Sequence, residues 1–324
     1  MNFRIAIAAL VAVLADPVSA AAKAAADGQG WTLVWSDEFD GDRLDPKKWK
    51  PEKSCWGGGN YERQCYTGRK ENILVKDGLL HLMAREERFT GPDRPPEIAA
   101  MPNPNKTQPF TSGKVRTRGL ASWKYGKVEF RAKPPKGQGT WPAVWMMPAD
   151  DHYGGWPLSG EIDILEGVNL GARCSECKGN VGENRMLSAI HFGDKAPKND
   201  HIHKRVALPD LSLPSDDFHI WTFEWGKGLM RFYLDGIQYW EVTQDQWNTA
   251  SPKAKGNPIA PFDQPFYIMA NLAIGGKLSE DNNDKGIVMN SIPATFQLDW
   301  IRIYQCKGDP ETGLACMTGA GGTK

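Results

Sequence analysis

The sequence predicts an all-β fold, a β-sandwich of jelly-roll type in which two antiparallel sheets pack together. Three observations carry this prediction. Short runs alternate between apolar and polar residues, Asp235 and Gly236 join two such runs as a tight hairpin turn, and no long stretch shows a helical period. The 34 glycines and 23 prolines are spread along the chain, so we find no domain boundary. Two packed sheets are the usual arrangement for such a pattern.

The strand predictions follow the alternation along the chain. Residues 127–132 alternate most regularly, as expected of a strand with one buried face. Two long polar segments, residues 88–111 and 169–186, are predicted as loops, and residues 318–324 as a frayed tail. The predicted strands are residues 31–35, 78–84, 127–132, 161–166, 220–225, 230–234, 237–240, 266–271 and 296–304.

The N-terminus has the layout of a secretory signal peptide. Arg4 gives a positive start, residues 5–14 are apolar, and small residues follow up to Ala20. The apolar run is too short to span a bilayer, so we predict no membrane association. The alternative is a buried N-terminal helix. We predict a signal peptide over residues 1–20, a single domain over residues 21–324, and a secreted or periplasmic protein.

Composition narrows the class of partner. The 39 Lys and Arg residues balance the 39 Asp and Glu residues, which argues against nucleic-acid binding. The balance argues only weakly against an acidic polymer, since a local basic patch is compatible with a neutral total. The 13 tryptophans suit the flat apolar faces of sugar rings. We therefore expect a polysaccharide ligand.

Six cysteines in an exported chain indicate disulfides. Fifteen pairings are possible, and proximity along the chain suggests three local ones. Cys174 and Cys177 could alternatively form a redox motif or half of a zinc site, but the chain has no second motif of that spacing. The local pairs are Cys55 with Cys65, Cys174 with Cys177, and Cys306 with Cys316.

The segment around Glu161, Asp163 and Glu166 carries the chemical prediction. Strict strand alternation places Glu161 and Asp163 on one face and Glu166 on the other. One extra residue near Ile164 and Leu165, a β-bulge, returns Glu166 to the acidic face. Three neighbouring acids repel one another, which separates their proton affinities. Glu161 could then attack an anomeric carbon while Glu166 protonates the departing oxygen, and Asp163 would hydrogen-bond Glu161.

Geometry constrains this interpretation. Retaining glycosidases hold their two carboxyl groups about 5–5.5 Å apart. Four strand steps separate the backbones by roughly 13 Å, so the side chains must lean together on a curved strand. The alternatives are a solvated acidic face on an edge strand and a calcium or magnesium cluster.

The same segment resembles the bulged active-site signature of glycoside hydrolase family 16. Further resemblances follow in family order and cover nearly the whole mature chain. They comprise residues 35–41, 60–67, 137–148, 191–193, 235–236, 271–276 and 299–304.

This resemblance implies a jelly roll with a substrate cleft across a concave sheet. It assigns Glu161 as nucleophile, Glu166 as acid/base and Asp163 as helper, the roles that the charge argument also gives. Taken together, these motifs most resemble the laminarinase-like branch of the family, whose members are endo-β-1,3-glucanases. Residues 167–169 and the cysteine-bearing insert after them depart from the family pattern, at a place where the shape of the cleft could change.

Several residues are predicted to bind substrate. Trp141 and Trp145 lie four apart, so on one strand both would face the same side. Stacking of sugar rings is one use for these and for Trp156, and filling the core is the other. Asn60 and His191 match the family and have polar tips suited to sugar hydroxyls, although either could satisfy a buried backbone group.

No cofactor is expected for catalysis. The resemblance implies a structural calcium held largely by backbone oxygens of Glu38, Gly78 and Asp299. His201 and His203 could suggest a metal, but two histidines in a polar segment are more often solvated.

The functional hypotheses come from two classes. The first is a retaining endo-β-1,3-glucanase, with a mixed-linkage glucanase or an agar-type galactan hydrolase as related alternatives, and with transfer to another sugar possible in place of hydrolysis. The second is a non-catalytic carbohydrate-binding sandwich, which would not need three clustered acids. We expect a monomer.

Overall fold

A computed structural model describes residues 30–98 and 102–317 of the chain. These residues form two β-sheets, so the predicted all-β sandwich is confirmed. The predicted signal peptide and the predicted C-terminal tail lie outside the described residues. Within those described, no helix is long and apolar enough to cross a membrane.

The strands are numbered in chain order. Those of the first half are β1 Trp31–Asp37, β2 Lys50–Pro51, β3 Gln64–Tyr66, β4 Ile73–Lys76, β5 Leu79–Pro92, β6 Asn105–Ser112, β7 Lys114–Arg116, β8 Gly126–Lys133 and β9 Thr140–Pro148. Those of the second half are β10 Glu161–Glu166, β11 Arg185–Gly193, β12 Asn199–Ala207, β13 His219–Gly226, β14 Leu229–Leu234, β15 Ile237–Thr243, β16 Phe266–Ile274 and β17 Ala294–Cys306. Short helices are α1 Lys277–Glu280, α2 Leu314–Met317 and the 3₁₀ turns Gln244–Gln246, Pro252–Ala254 and Met289–Ser291.

The two sheets differ in size. The ten-stranded sheet runs in the order β15-β14-β13-β8-β17-β5-β6-β3, with β1 pairing on β17 and β4 on β5. The seven-stranded sheet runs β12-β11-β10-β9-β16-β7-β2, which places the acid-bearing strand β10 near one end and flanks it with β9 and β11. We call the face of the seven-stranded sheet that points away from the core its outer face.

The core lies between the sheets. Alternate residues of both sheets point into it, as the two-residue period of a strand requires. Phe130, Trp221 and Phe232 come from the larger sheet, and Ile162 and Ile268 from the smaller one. Because the apolar residues of β10 are anchored in this core, its acids are directed to the outer face.

The structure corrects two parts of the sequence prediction. The predicted loop over residues 88–111 is mostly a paired arm, because β5 continues to Pro92 and β6 begins at Asn105. The buried positions of β6 within this segment, Gln108, Phe110 and Thr111, are mostly polar, so the arm lacks the apolar alternation that marks a half-buried strand. The sheets are also not purely antiparallel, since β3 pairs with β6 in parallel.

The three local disulfides are confirmed. Cys55 is bonded to Cys65, Cys174 to Cys177, and Cys306 to Cys316. As a disulfide, Cys174 and Cys177 have no thiolate to offer a zinc ion, so the pair staples its loop.

Candidate active site

The predicted bulge in β10 is confirmed. Against β11, the register places Glu161 opposite His191 and Asp163 opposite Ala189, and then shifts before Glu166. Against β9, the register shifts between Asp163 and Leu165. The extra residue lets all three acids lie on the outer face.

The bulge is anchored from the core side. Ile164 and Leu165 are both fully buried in the core, which is where the additional residue is accommodated. The Ser188 hydroxyl donates to the Ile164 carbonyl at 2.6 Å and lies 2.7 Å from the Tyr239 hydroxyl. The carbonyl that the bulge leaves without a ladder partner is therefore satisfied.

Each of the two glutamates accepts a hydrogen bond from an indole N–H. Trp141 on β9 donates to Glu166 at 2.9 Å, and Trp156, in the loop before β10, donates to Glu161 at 2.5 Å. Trp141 is buried, whereas Trp156 is 43% exposed. Two of the predicted tryptophans thus hold the carboxylates directly, a contact that stacking arguments did not anticipate.

His191 and Asp163 form the central ion pair. Nε2 of His191 lies 3.2 Å from Oδ2 of Asp163. Burial disfavours the imidazolium, but the neighbouring carboxylates outweigh it and raise the pKa of His191 to about 10. Asp163 is therefore paired with a cation, between two glutamates.

The two glutamates have raised pKa values. Burial, followed by the charge of Asp163, raises the pKa of Glu161 to about 7 and that of Glu166 to about 8. The indole donors and His191 oppose these shifts. Glu166 has the higher pKa of the two, as a general acid requires. Glu161 has the lower pKa and ionises first, as a nucleophile requires.

The charge state argues against a metal cluster among these groups. Ligand atoms of Glu161, Asp163 and His191 lie within 4.8 Å of one another, close enough to share an ion. A protonated imidazole has no lone pair for a metal, however, so an ion would have to displace the proton that the neighbouring carboxylates favour on His191. Acid/base chemistry fits this group better than coordination.

Trp145 lies beside Trp141 on the outer face, and both tryptophans face the acids as predicted. It pairs in register with Asp163, and its indole N–H donates to Oδ1 of Asn271 at 2.6 Å. Nζ of Lys114 lies 4.7 Å from the centre of its ring. Sequence reasoning missed Lys114, because its position depends on the pairing of β7 with β16.

Asn60 makes hydrogen bonds with Glu62 and with the backbone of Lys277. It is exposed in the turn before β3, where its side chain donates to Glu62 at 3.4 Å and its carbonyl accepts from the Lys277 N–H. Its role in substrate binding stays a prediction.

The three residues predicted to hold calcium meet along one edge of β17. Strand β1 pairs with this edge as far as Asp37, and β5 pairs with it from Leu80. Glu38 and Gly78 therefore both lie beside the gap that Asp299 occupies. The carboxylate of Glu38 is bound by Arg302 and that of Asp299 by Arg131, so only backbone oxygens suit the predicted ion.

A β-sandwich with paired carboxylates on a bulged strand is the architecture of a glycoside hydrolase. Comparison with known proteins shows which family of these enzymes the chain belongs to. The family model described as "Beta-porphyranase A-D, GH16 domain" matches residues 31–306. The chain belongs to glycoside hydrolase family 16, as its motifs predict.

Several similar proteins of this family are named as glucanases. It is 39% identical to glucan endo-1,3-beta-glucosidase A1 of Niallia circulans over 287 residues, covering 85% of this chain and 38% of that protein. It is 34% identical to a beta-glucanase of Rhodothermus marinus, covering 85% of each. The solved laminarinase from Rhodothermus marinus matches with a TM-score of 0.65 and 32% identity, over 85% of this chain and 97% of that one. The chain thus spans well under half of the first relative.

Proposed function

We propose that the protein is a retaining endo-β-1,3-glucanase that hydrolyses internal linkages of laminarin-like glucans. The observation that carries the proposal is the bulged strand β10, which presents Glu161, Asp163 and Glu166 on one face with an indole donor on each glutamate. The glucanase relatives support the substrate class.

The proposed reaction is a double displacement. An ionised Glu161 oxygen attacks the anomeric carbon while Glu166 gives its proton to the glycosidic oxygen, so the bond to the leaving sugar breaks and a glycosyl-enzyme ester forms. Glu166, now ionised, then takes a proton from water. The resulting hydroxide displaces Glu161 from the anomeric carbon, and both carboxyl groups return to their starting states.

Asp163 and His191 support this sequence through charge. The negative charge of Asp163 raises the pKa of both glutamates, and the imidazolium of His191 lowers it. Asp163 thus favours a retained proton on this pair of glutamates, and His191 limits that effect. Trp145 and the exposed ring of Trp156 offer faces on which sugar rings can stack.

The proposals for localisation and oligomeric state rest on the sequence and on the proposed reaction. The N-terminal segment supports secretion or export to the periplasm, and nothing in the proposed reaction requires a second subunit, so we propose a monomer. Transfer of the glycosyl group to another sugar instead of water depends on how well the site excludes water.

The test is a time course of laminarin digestion followed by proton NMR of the new anomeric signals. We expect β-anomers of glucose oligomers first, with mutarotation later. Glu161→Gln should abolish turnover, because the amide cannot form the ester. Full activity of that variant would refute the assigned role of Glu161.

Parallel digestions separate the related activities. Lichenan tests mixed-linkage specificity and agarose tests galactan hydrolysis, both under the same conditions. Cleavage of either in place of laminarin would keep the chemistry and change the polymer. Binding of laminarin by the wild-type protein without any product over a long incubation would instead favour a carbohydrate-binding protein.

A further inference from the structure

Strand β12 carries a basic row beside the acids. It is the last strand of the seven-stranded sheet and pairs with β11 without a register shift. His201 lies opposite His191, and Arg205 lies opposite Leu187, which itself pairs with Glu166. Because strands lie about 5 Å apart, the backbone of Arg205 is about 10 Å from that of Glu166, on the same face.

The histidines of this row extend the aromatic surface of the site. Ring centres are 6.0 Å apart between Trp156 and His191, 5.3 Å between His191 and His201, and 5.6 Å between His201 and His203. The two histidine pairs are stacked, and both His201 and His203 are exposed. A row of imidazole rings therefore continues from the acids to the edge of the sheet.

Arg205 lines a cavity of about 610 Å³, and residues of the cysteine-bearing insert form much of its wall. The cavity borders the catalytic strand, since Val168 lines it and also packs against Trp141, the donor to Glu166. Side chains that line it include Arg173, Arg185 and Arg205 and the carboxylate of Glu183.

The three arginines of the cavity are matched in number by the carboxylates of Glu176, Glu183 and Asp284, but Arg205 pairs with none of them. Arg185 binds both oxygens of Glu183 at 2.8 and 2.9 Å and lies 3.5 Å from Glu176, and Arg173 pairs with Asp284 at 3.0 Å. Arg205 is partly buried and has neither a hydrogen-bond nor an ion-pair partner among the described residues. The insert therefore leaves one guanidinium without a side-chain partner and available to a ligand, although the cavity carries no net charge.

We propose that this cavity is a binding site for an anionic substituent on the polysaccharide, a sulfate ester or a carboxylate, and that Arg205 is its principal ligand. The planar guanidinium offers paired N–H donors that match the oxygens of either group. Asn282 and Asn283 also line the cavity. The side-chain amide of Asn283 already donates to Glu183 and to the Arg173 carbonyl. The insert thus favours sugar chains that carry a negative group at a fixed distance from Glu166. This selection is local, because the net charge of the protein is zero. This inference deepens the proposed function and depends on it for the polymer.

The test is calorimetric binding to the full mature chain carrying Glu161→Gln, which keeps the ligand intact. The probes are laminari-oligosaccharides of one length in three forms: neutral, chemically sulfated, and oxidised to the carboxylate at carbon 6. Matching neutral and sulfated agaro-oligosaccharides provide a second polymer. The measured quantity is the ratio of affinities, anionic over neutral.

Two further variants separate a local contact from a general charge effect. Arg205→Gln should lower the ratio about tenfold, the factor for one charge-assisted hydrogen bond. Lys204→Gln removes the same charge from the next residue, which is exposed and lies opposite Ser188 rather than Leu187, and should leave the ratio unchanged. The sulfated and carboxylated probes show which anion is preferred.

The outcomes distinguish this inference from the proposed function. An unchanged ratio in Arg205→Gln, an equal fall in both variants, or no preference for any anionic probe would overturn the anion site. Failure of the wild-type protein to cleave laminarin would overturn the proposed glucanase instead. The affinity ratio on the agaro-oligosaccharides would then still test Arg205.

Discussion

At the scale of single residues, the site separates two chemically identical carboxyl groups by their neighbours. Glu161 and Glu166 share the same strand and the same nearby charge of Asp163. Burial and the charge of Asp163 raise both pKa values, and a separate indole donor on each glutamate, together with the imidazolium of His191, lowers them. An indole N–H stabilises the ionised form of the carboxyl that it contacts, so it lowers that pKa.

The two indole donors should therefore control opposite limbs of the pH profile of kcat/KM. The rate rises as Glu161 loses its proton, near pH 7, and falls as Glu166 loses its own, near pH 8. Trp156→Phe removes the donor to Glu161 and should move the acidic limb about one unit higher, which narrows the profile. Trp141→Phe should move the alkaline limb about one unit higher, which widens it.

Trp145→Phe is the matched control for these variants. Its indole N–H donates to Asn271 rather than to a carboxylate, so both limbs should keep their midpoints whatever happens to the rate. If Trp141→Phe and Trp156→Phe shift the same limb, the assignment of acid and nucleophile to these two glutamates is wrong.

At the scale of single elements, β10 shows what the sequence could and could not predict. The bulge was predictable, because the spacing of Glu161, Asp163 and Glu166 breaks the two-residue period in a strand whose aliphatics must stay buried. The indole of Trp156 on Glu161 was not, since it depends on how a loop folds back. The arm formed by β5 and β6 was missed because its buried positions are mostly polar. The role proposed for Arg205 depends on register across three strands.

Gly160 fixes the entry of the chain into β10. It has a φ of +84°, and a Cβ there would come within 2.7 Å of the buried ring of Phe262. We expect Gly160→Ala to lower the free energy of unfolding by about 2–4 kcal/mol, from backbone strain together with overpacking. Urea denaturation measures this loss, and kcat should fall as Glu161 is displaced.

Gly155→Ala serves as the control in the same loop. A Cβ at Gly155 would meet nothing within 4 Å, so its free energy of unfolding should stay within about 0.5 kcal/mol of wild type. Equal stability of the two variants would show that the entry to β10 tolerates a side chain.

At the scale of the whole molecule, chemistry and structural support belong to different sheets. The seven-stranded sheet carries the acids on its outer face, and the ten-stranded sheet packs behind it across the shared core. Strand β17 pairs with three neighbours in the larger sheet, namely β1, β5 and β8. A ligand or contact that stabilises the edge of β17 therefore stabilises the sandwich without contacting Glu161 or Glu166.

The proposed calcium ion should act on stability in this way. It would be held by backbone oxygens of Glu38, Gly78 and Asp299 where β1 ends and β5 begins along β17. An ion bound only to the folded state, at a hundredfold excess over its Kd, adds about 2.7 kcal/mol of stability. For a chain of this size, that corresponds to a Tm about 5 °C higher.

Calorimetry in calcium, in magnesium and in EDTA measures the effect, alongside activity on laminarin at 25 °C. Calcium should raise Tm while leaving activity the same as in EDTA, because the ion lies on the sheet that carries no reacting group. Magnesium should stabilise less, since it needs a smaller and more regular set of oxygens. Equal Tm values in calcium and in EDTA would show that no calcium ion stabilises this site. The ion pairs of Arg302 with Glu38 and of Arg131 with Asp299 would then be the interactions that hold these residues to their neighbours.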